Sequence, residues 1–239
     1  MGLTINYELR LPGITADEDA ILLLERLQLH ALTLGPAAIT PVLRLTGAEL
    51  SSQLERGTVE WFFQILSDGI REERDGAAGP IADQERLALA GFLMAPGEGS
   101  EPAMFGLVRP LLSRPPAKAS DTFEWRDWCW HSFCKTQYAS AVSDEHFVRC
   151  HTSVVSMLDE AQHLGFGVSV RDEGDYWETR STERLLLEVG KMNRIMAHFA
   201  GALHDAISPE HSVEAAIFEH PEFEHLEMEP LDRGPVGPD

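Results

Sequence analysis

The segment Trp125–Glu178 constrains the fold of this chain more than any other part of it. It contains all three cysteines and four of the five tryptophans. The run of residues 123–138, which overlaps its start, alternates side chains in the way of a β-strand, whose successive residues point to opposite faces. Both faces would mix aromatic with polar residues, which is typical of a central strand covered on both sides. The run of residues 123–138 is longer than an average strand, so we expect a bend or a bulge in it.

The start of the chain predicts a β-α-β unit. Leu3–Leu11 alternates apolar and polar residues, which indicates a half-buried strand. Thr15 and Glu18 have the spacing of a capping box, and apolar residues then recur with helical spacing. A Gly-Pro pair ends this helix. A second strand is predicted over residues 39–45.

Further elements follow from the same patterns. They are a helix within residues 51–73, strands over 87–95 and 104–111, a helix from Ser143 to Gly165, a strand over 167–171, a helix capped by Ser181, and a strand over 213–218. The Gly/Pro-rich loop 96–102 would join two of these strands as a hairpin, and we interpret it as a lid-like connection. Asn193 lies in the apolar stripe of the last long helix. Because a buried amide needs hydrogen-bond partners, we expect Asn193 to tether a neighbouring loop.

Together these elements predict an α+β fold. We expect a mixed or mostly antiparallel sheet of five to seven strands covered by about four helices. Residues 1–228 would form a single compact unit with a possible subdomain junction near 113–120. Residues 229–239 are rich in Pro, Gly and Asp and predict a flexible tail.

The net charge of −20 bears on the partners of this chain. Phosphate contacts dominate binding to nucleic acids, and they need basic clusters that this sequence lacks. No apolar run approaches the roughly 18 residues of a membrane helix. Three cysteines cannot all pair, and no signal peptide is recognisable, so we expect a cytoplasmic protein with free thiols.

The cysteines and histidines of the central segment raise the question of a metal site. On an extended strand Cys134 points away from Cys129 and His131, so these three would converge only through a bulge. His146 and Cys150 are four residues apart on a helix and could form a thiolate pair. Cys150 lies in mid-helix, which favours an inert buried thiol. We assign no metal ligands and no cofactor, with zinc as the alternative.

The strongest candidate site is a junction of three segments: the end of the central strand, the start of the next helix and the acidic turn over 172–178. Ligand sites commonly form where strand ends and helix N-termini meet. The predicted catalytic residues are His146, Glu173 and Glu178, and the predicted ligand-binding residues are Lys135, Tyr138 and Arg149. The two basic residues would hold an anionic group, and the histidine or a glutamate would transfer protons. Structural ion pairs among the same residues are the alternative.

The sequence therefore predicts a protein with a pocket for a small polar ligand, with general acid/base catalysis as one interpretation. The alternative is an acidic protein-interaction module of inhibitor or immunity type, whose charge would meet a basic protein partner.

Several strings in the chain also resemble a group of uncharacterised bacterial proteins of similar length. They are GLTINYEL at the start and FCKTQYAS, HFVRCH, DEGDYWETR and FEHLE in the second half. The resemblance covers most of the chain and is closest in its second half. It implies a single bacterial domain family and no particular activity.

Overall fold

The computed structural model describes residues 3–14, 16–49, 87–109, 128–206 and 215–228. Seven strands form one sheet: β1 (Thr4–Leu11), β2 (Ala38–Ile39), β3 (Leu43–Thr46), β4 (Leu87–Ala95), β5 (Ala103–Val108), β6 (Trp128–Lys135) and β7 (Gly167–Asp172). The α-helices described from end to end are α1 (Asp17–Thr33), α2 (Asp144–His163), α3 (Tyr176–Thr179), α4 (Thr182–Ala206) and α5 (Phe223–Met228). Short 3₁₀ helices cover Gln137–Ala141 and Ala216–Glu219.

The sheet is antiparallel and runs in the order β2-β4-β5-β6-β1-β7, with β3 also paired to β4. This arrangement confirms the predicted α+β class. It also confirms the hairpin of β4 and β5, in which Met94 lies opposite Ala103. Strand β1 lies between β6 and β7, so that Thr4 pairs with Lys135 while Ile5 pairs with Asp172.

One face of the sheet packs against the helices and forms the core. Trp128 and Cys134 on β6 point into the core, whereas His131, which lies on the opposite face of the strand, is exposed. The alternation predicted for this strand is therefore confirmed within β6. The polar atoms of two aromatic side chains share one hydrogen-bond acceptor. The Tyr7 hydroxyl and the Trp130 indole N–H both donate to the carbonyl of Met104, at 2.6 and 3.0 Å.

Three predicted details differ from the structure. Helix α1 has Ala16 as its N-cap, without a side-chain cap hydrogen bond, so the predicted capping box is wrong; Thr15 itself lies outside the described residues. Residues 39–45 divide between β2 and β3, because Pro41 has no N–H for a strand ladder. Residues 216–219 form a 3₁₀ helix instead of the predicted strand.

The other helix caps follow the prediction. The Ser143 hydroxyl accepts a hydrogen bond from the His146 amide at 3.1 Å, and the Ser181 hydroxyl accepts one from the Arg184 amide at 3.2 Å.

No helix among the described residues has both the length and the apolar character needed to cross a membrane. The predictions for residues 51–73, 113–120 and 229–239 lie outside the described residues.

Candidate functional site

The three segments of the predicted junction do meet, at the sheet edge where β1 begins and β6 and β7 end. A buried chain of hydrogen bonds joins them. The His151 ring on α2 lies 2.9 Å from the Thr136 hydroxyl through Nδ1 and 3.1 Å from the Asp172 carboxylate through Nε2. The side chains of His151 and Asp172 have no solvent-exposed surface.

Asp172 organises the acidic turn that follows β7. Its carboxylate accepts the backbone amides of Gly174, Tyr176 and Trp177 at 2.7, 2.9 and 2.9 Å. Burial acts to raise the pKa of Asp172, but the hydrogen bonds from His151 and the backbone amides outweigh it and lower the pKa below its usual value. The carboxylate is therefore ionised and accepts a hydrogen bond from the His151 Nε2–H, while Nδ1 of the same ring shares a hydrogen bond with the Thr136 hydroxyl.

The order hydroxyl, imidazole, carboxylate is also that of a nucleophilic triad. Here the relative solvent exposure of both Thr136 and His151 is 0%. A substrate cannot reach a hydroxyl in that position. We therefore interpret the two hydrogen bonds that link Thr136, His151 and Asp172 as a structural connection between β6, α2 and the turn after β7.

A second network at this edge involves a buried amide pair. The Leu3 amide donates to Gln137 Oε1 at 2.9 Å, which leaves the Gln137 amide nitrogen to donate to Asn193 Oδ1 at 2.8 Å. Asn193 Nδ2 then donates to the Ser140 hydroxyl at 3.0 Å, and Ser140 donates to the Gln137 carbonyl at 2.7 Å. This ring of hydrogen bonds confirms that Asn193 tethers a neighbouring segment, the 3₁₀ helix after β6.

The loop between β4 and β5 gathers several of the predicted site residues. His146 Nε2 donates to the Glu98 carbonyl at 2.9 Å, and Arg149 donates to His146 Nδ1 at 2.8 Å. Lys135 Nζ lies 3.5 Å from a carboxylate oxygen of Glu101 in the same loop. Both ring nitrogens of His146 therefore have a hydrogen-bond partner, Arg149 at Nδ1 and the Glu98 carbonyl at Nε2.

Two glycines let this loop lie against its neighbours. A Cβ on Gly97 would lie 2.7 Å from the Cys150 sulfur, and one on Gly99 would lie 2.4 Å from the Tyr138 carbonyl oxygen. Gly99 also has a φ of +72°, which side chains rarely adopt. The loop that the sequence predicts to be lid-like is packed against α2 and the 3₁₀ helix after β6.

The two buried cysteines near this loop are poor nucleophiles. Cys150 Sγ lies 3.5 Å from His146 Nε2, but burial raises the thiol pKa against the opposing effect of Arg149. Burial raises the pKa of Cys134 to about 12, and its sulfur donates to the Glu101 carbonyl at 3.1 Å. Over the part of the chain that the structure describes, no three His, Cys, Asp or Glu side chains are grouped to hold a metal ion.

The two predicted glutamates lie apart from these groups. Glu173 accepts the Thr4 amide at 3.1 Å and returns its own amide to the Thr4 carbonyl at 3.1 Å, which extends the pairing of β1 with β7. Glu178 lies exposed on α3. Among the described residues, neither glutamate forms a hydrogen bond or ion pair with His146 or Arg149.

A groove of about 330 Å³ opens on the outer face of α2, between the end of α1 and the short helix α3. Of the six predicted site residues, Arg149 lines it. The other lining residues are Leu34, Thr152, Ser153, Val155, Ser156, Asp159, Tyr176 and Arg180. The α2 residues among them recur at intervals of three and four, so a second, small and polar face of this helix was visible in the sequence beside its apolar stripe.

Two hydroxyl groups on the groove floor, those of Thr152 and Ser153, have a defined polarity. Thr152 donates its proton to the Val148 carbonyl and Ser153 donates to the Cys150 carbonyl, both at 2.8 Å. Their lone pairs are left to accept hydrogen bonds from a ligand. Arg149 supplies N–H donors at one end of this floor.

The far end of the groove holds an ion pair. Arg180 binds Asp159 through two parallel hydrogen bonds of 2.7 and 2.9 Å and lies over the Trp177 ring at 4.7 Å. Asp159 is therefore neutralised by its partner, and among the described residues that line the groove the charge without an opposite partner is that of Arg149.

Fold and groove together define an antiparallel α+β protein with a polar groove on one helix. No protein-family model, curated protein or solved structure matches the chain. The functional assignment therefore depends on the geometry of the groove.

Proposed function

We propose that the protein binds a small ligand that carries an acidic group, in the groove between α1, α2 and α3. The observation that carries this proposal is the placement of Arg149. Its guanidinium is positioned by the hydrogen bond to His146, and its other N–H groups have no hydrogen-bond partner among the residues that the structure describes. Arg149 thus keeps the role of anion binding that the sequence predicts for it.

The charge distribution of the groove favours an anion. The chain as a whole carries a net charge of −20, yet the one acidic side chain among the described residues that line the groove, Asp159, is paired with Arg180. An acidic ligand would therefore meet an uncompensated arginine. A guanidinium binds a carboxylate or phosphate through charge-assisted hydrogen bonds.

The floor of the groove narrows the class of ligand further. The Thr152 and Ser153 oxygens accept hydrogen bonds, so the ligand should also carry a hydroxyl or amino donor. Tyr176 and Val155 supply apolar surface at the walls. The volume of about 330 Å³ lies at the lower end of the range for small-molecule sites. A hydroxy acid or an amino acid has this combination of groups.

Binding is better supported than catalysis. Proton transfer by His146 would require the release of either Glu98 or Arg149 from its ring nitrogens. The assignments of His146, Glu173 and Glu178 as catalytic residues, and of Lys135 and Tyr138 as ligand-binding residues, stay predictions from the sequence.

Ligand-observed NMR tests the proposal with lactate, serine, acetate and inorganic phosphate as probes. We expect saturation transfer to lactate or serine, and Arg149→Gln should weaken that binding roughly 10- to 100-fold, the effect of losing a hydrogen bond to a charged group. The matched control is Arg171→Gln, because Arg171 is an exposed arginine on β7, outside the groove. Binding that is absent for all four probes, or that responds equally to both substitutions, would refute the proposal.

A further inference from the structure

A histidine of α1 contacts one of the groove residues. His30 Nε2 lies 3.1 Å from the hydroxyl oxygen of Ser156 on α2. Ser156 lines the groove, and both side chains are partly buried. Two other hydroxyl groups on the groove floor, those of Thr152 and Ser153, donate to backbone carbonyls of their own helix. Ser156 differs from them, because its hydrogen-bond partner is a side chain that can change its charge.

The charge of His30 decides what the Ser156 hydroxyl can do. A neutral imidazole either accepts the Ser156 proton at Nε2 or donates its own proton to the Ser156 oxygen. A protonated imidazole can only donate at Nε2, so the hydroxyl proton of Ser156 must then turn to another acceptor. Among the described residues, no carbonyl or carboxylate accepts that proton. An oxygen atom of a ligand in the groove is therefore a suitable acceptor.

The charged groups around His30 come from the two helices and not from the sheet. The charged side chains within one turn of the contact are Arg26 on α1 and Asp159 and Glu160 on α2. Asp159 is bound by Arg180, and within the described part of the chain neither acidic side chain forms an ion pair with His30. The strands that pack against α1, β4 and β5, contain no titratable side chains. A protonated His30 would therefore place an unpaired positive charge beside Ser156.

Arg149 and Ser156 lie at different points along the groove. They are seven residues apart on α2, so about 10 Å separates them along the helix axis. A short acid such as lactate reaches one of these two residues, whereas a longer molecule reaches both. The groove lining also includes Leu34, Val155 and Tyr176, whose apolar surface suits a methylene chain.

We propose that the ligand of the groove is a dicarboxylic acid, with one carboxylate on Arg149 and the second on Ser156. This inference rests on the proposed function of the groove and adds the second acidic group. His30 is a positioning residue: when protonated, it donates to the Ser156 oxygen and turns the hydroxyl proton towards the ligand. A single hydroxyl donor matches a carboxylate better than a phosphate, which carries more charge and three acceptor oxygens. The accepting oxygens of Thr152 and Ser153 lie between the two ends, where a hydroxyl or amino group of the same ligand would meet them.

A ligand-observed NMR titration tests the second carboxylate with pimelate and with heptanoate, the monocarboxylic acid of the same chain length. We expect pimelate to bind roughly 10- to 100-fold more tightly at pH 6, the effect of one more charge-assisted hydrogen bond. Malonate, which is too short to reach both residues, should show no such gain. Ser156→Ala should reduce the affinity for pimelate to that for heptanoate, and circular dichroism reports whether the variant is folded.

The pH dependence of binding tests the role of His30. From pH 8 to pH 6 the affinity for pimelate relative to heptanoate should rise at least roughly threefold, because imidazoles take up a proton in this range. The ratio cancels any effect of pH on the Arg149 end of the groove. His30→Gln keeps a hydrogen-bonding group but cannot take up a proton, so it should remove the rise. The matched control is His163→Gln, because His163 is exposed on α2 outside the groove lining.

The outcomes separate this inference from the proposed function. Equal affinities for pimelate and heptanoate, both weakened by Arg149→Gln, would overturn the inference and leave the binding of an acid by Arg149 in place. Absence of binding for both acids would overturn the two together. A pimelate advantage that survives Ser156→Ala would also overturn the inference. So would a rise towards pH 6 that persists in His30→Gln, because His30 would then only connect α1 to α2.

Discussion

The imidazole of His151 and the carboxylate of Asp172 form a 3.1 Å hydrogen bond between α2 and the end of β7, with neither side chain exposed to solvent. The same carboxylate accepts three backbone amides of the following turn. One side chain therefore holds a helix, a strand and a turn in place. A buried carboxylate that accepts this many hydrogen bonds is difficult to replace, because each of the donor groups would be left unpaired.

We expect Asp172→Asn to lower the free energy of unfolding by about 2–4 kcal/mol, since one carboxylate oxygen becomes a donor that faces other donors. Urea denaturation measures this change. Asp175→Asn is the control, because its exposed ion pair with Arg184 should contribute less than about 1 kcal/mol. An effect of equal size at both positions would show that Asp172 does not organise the turn.

The same carboxylate predicts a dependence of stability on acid pH. The pKa of Asp172 is lowered in the folded protein, so below the unfolded value of about 3.9 the unfolded chain binds more protons. Its contribution is therefore fully present above that value and is lost as pH falls through the folded pKa. The stability difference between wild type and Asp172→Asn should shrink from pH 6 to pH 3, as measured by urea denaturation. A constant difference would contradict the lowered pKa.

The three cysteines should react at different rates with a thiol reagent such as Ellman's reagent. Cys134 and Cys150 are buried and burial raises the pKa of both thiols, whereas Cys129 is only partly buried. Because the thiolate is the reactive form, we expect one fast and two slow thiols in the native protein and three fast thiols in urea. Cys129→Ser should remove the fast phase. A second fast thiol in the native protein would show that Cys134 or Cys150 is accessible.

Much of the fold could be predicted because periodicity reports local structure and burial. The alternation in Leu3–Leu11 and in residues 128–135 identified two central strands, and Ser143 and Ser181 identified the starts of two helices. The pairing of β1 with β6 could not be predicted, since it joins residues more than 100 positions apart and the pattern of a strand does not name its partner.

The candidate site was predicted only in part, for a related reason. The meeting of a strand end, a helix start and an acidic turn followed from their order in the chain. His151 was missed as its connecting residue, because a histidine within an apolar stripe resembles an ordinary core position. Its partner became visible only through the register that places Asp172 opposite Ile5, on the helix-covered face of the sheet.

Gly99→Ala should destabilise the protein and loosen the loop between β4 and β5. The alanine would have to adopt a positive φ, and its Cβ would lie 2.4 Å from the Tyr138 carbonyl oxygen. We expect a loss of about 2–3 kcal/mol, against about 1 kcal/mol for Gly13→Ala, which has a similar φ but open space around it. Thermal unfolding measures both. Faster reaction of the Cys150 thiol in Gly99→Ala alone would show that the loop has moved, and equal losses in the two variants would refute the close contact.

Asn193→Asp tests the hydrogen-bonded ring around Gln137. The second carboxylate oxygen would replace the Nδ2 group, which donates a hydrogen bond to the Ser140 hydroxyl. Residue 193 is 4% exposed. Burial would raise the pKa of the introduced carboxyl above its unfolded value, so the destabilisation should grow as pH rises above about 4. We expect a loss of about 2–4 kcal/mol at pH 7 and a smaller loss at pH 4 in urea denaturation. Asn193→Ala removes the amide without adding a charge, and its loss should change less between the two pH values than that of Asn193→Asp. If the two variants responded to pH in the same way, residue 193 would have to lie in contact with water, and the ring would not be the buried tether between α4 and the end of β6.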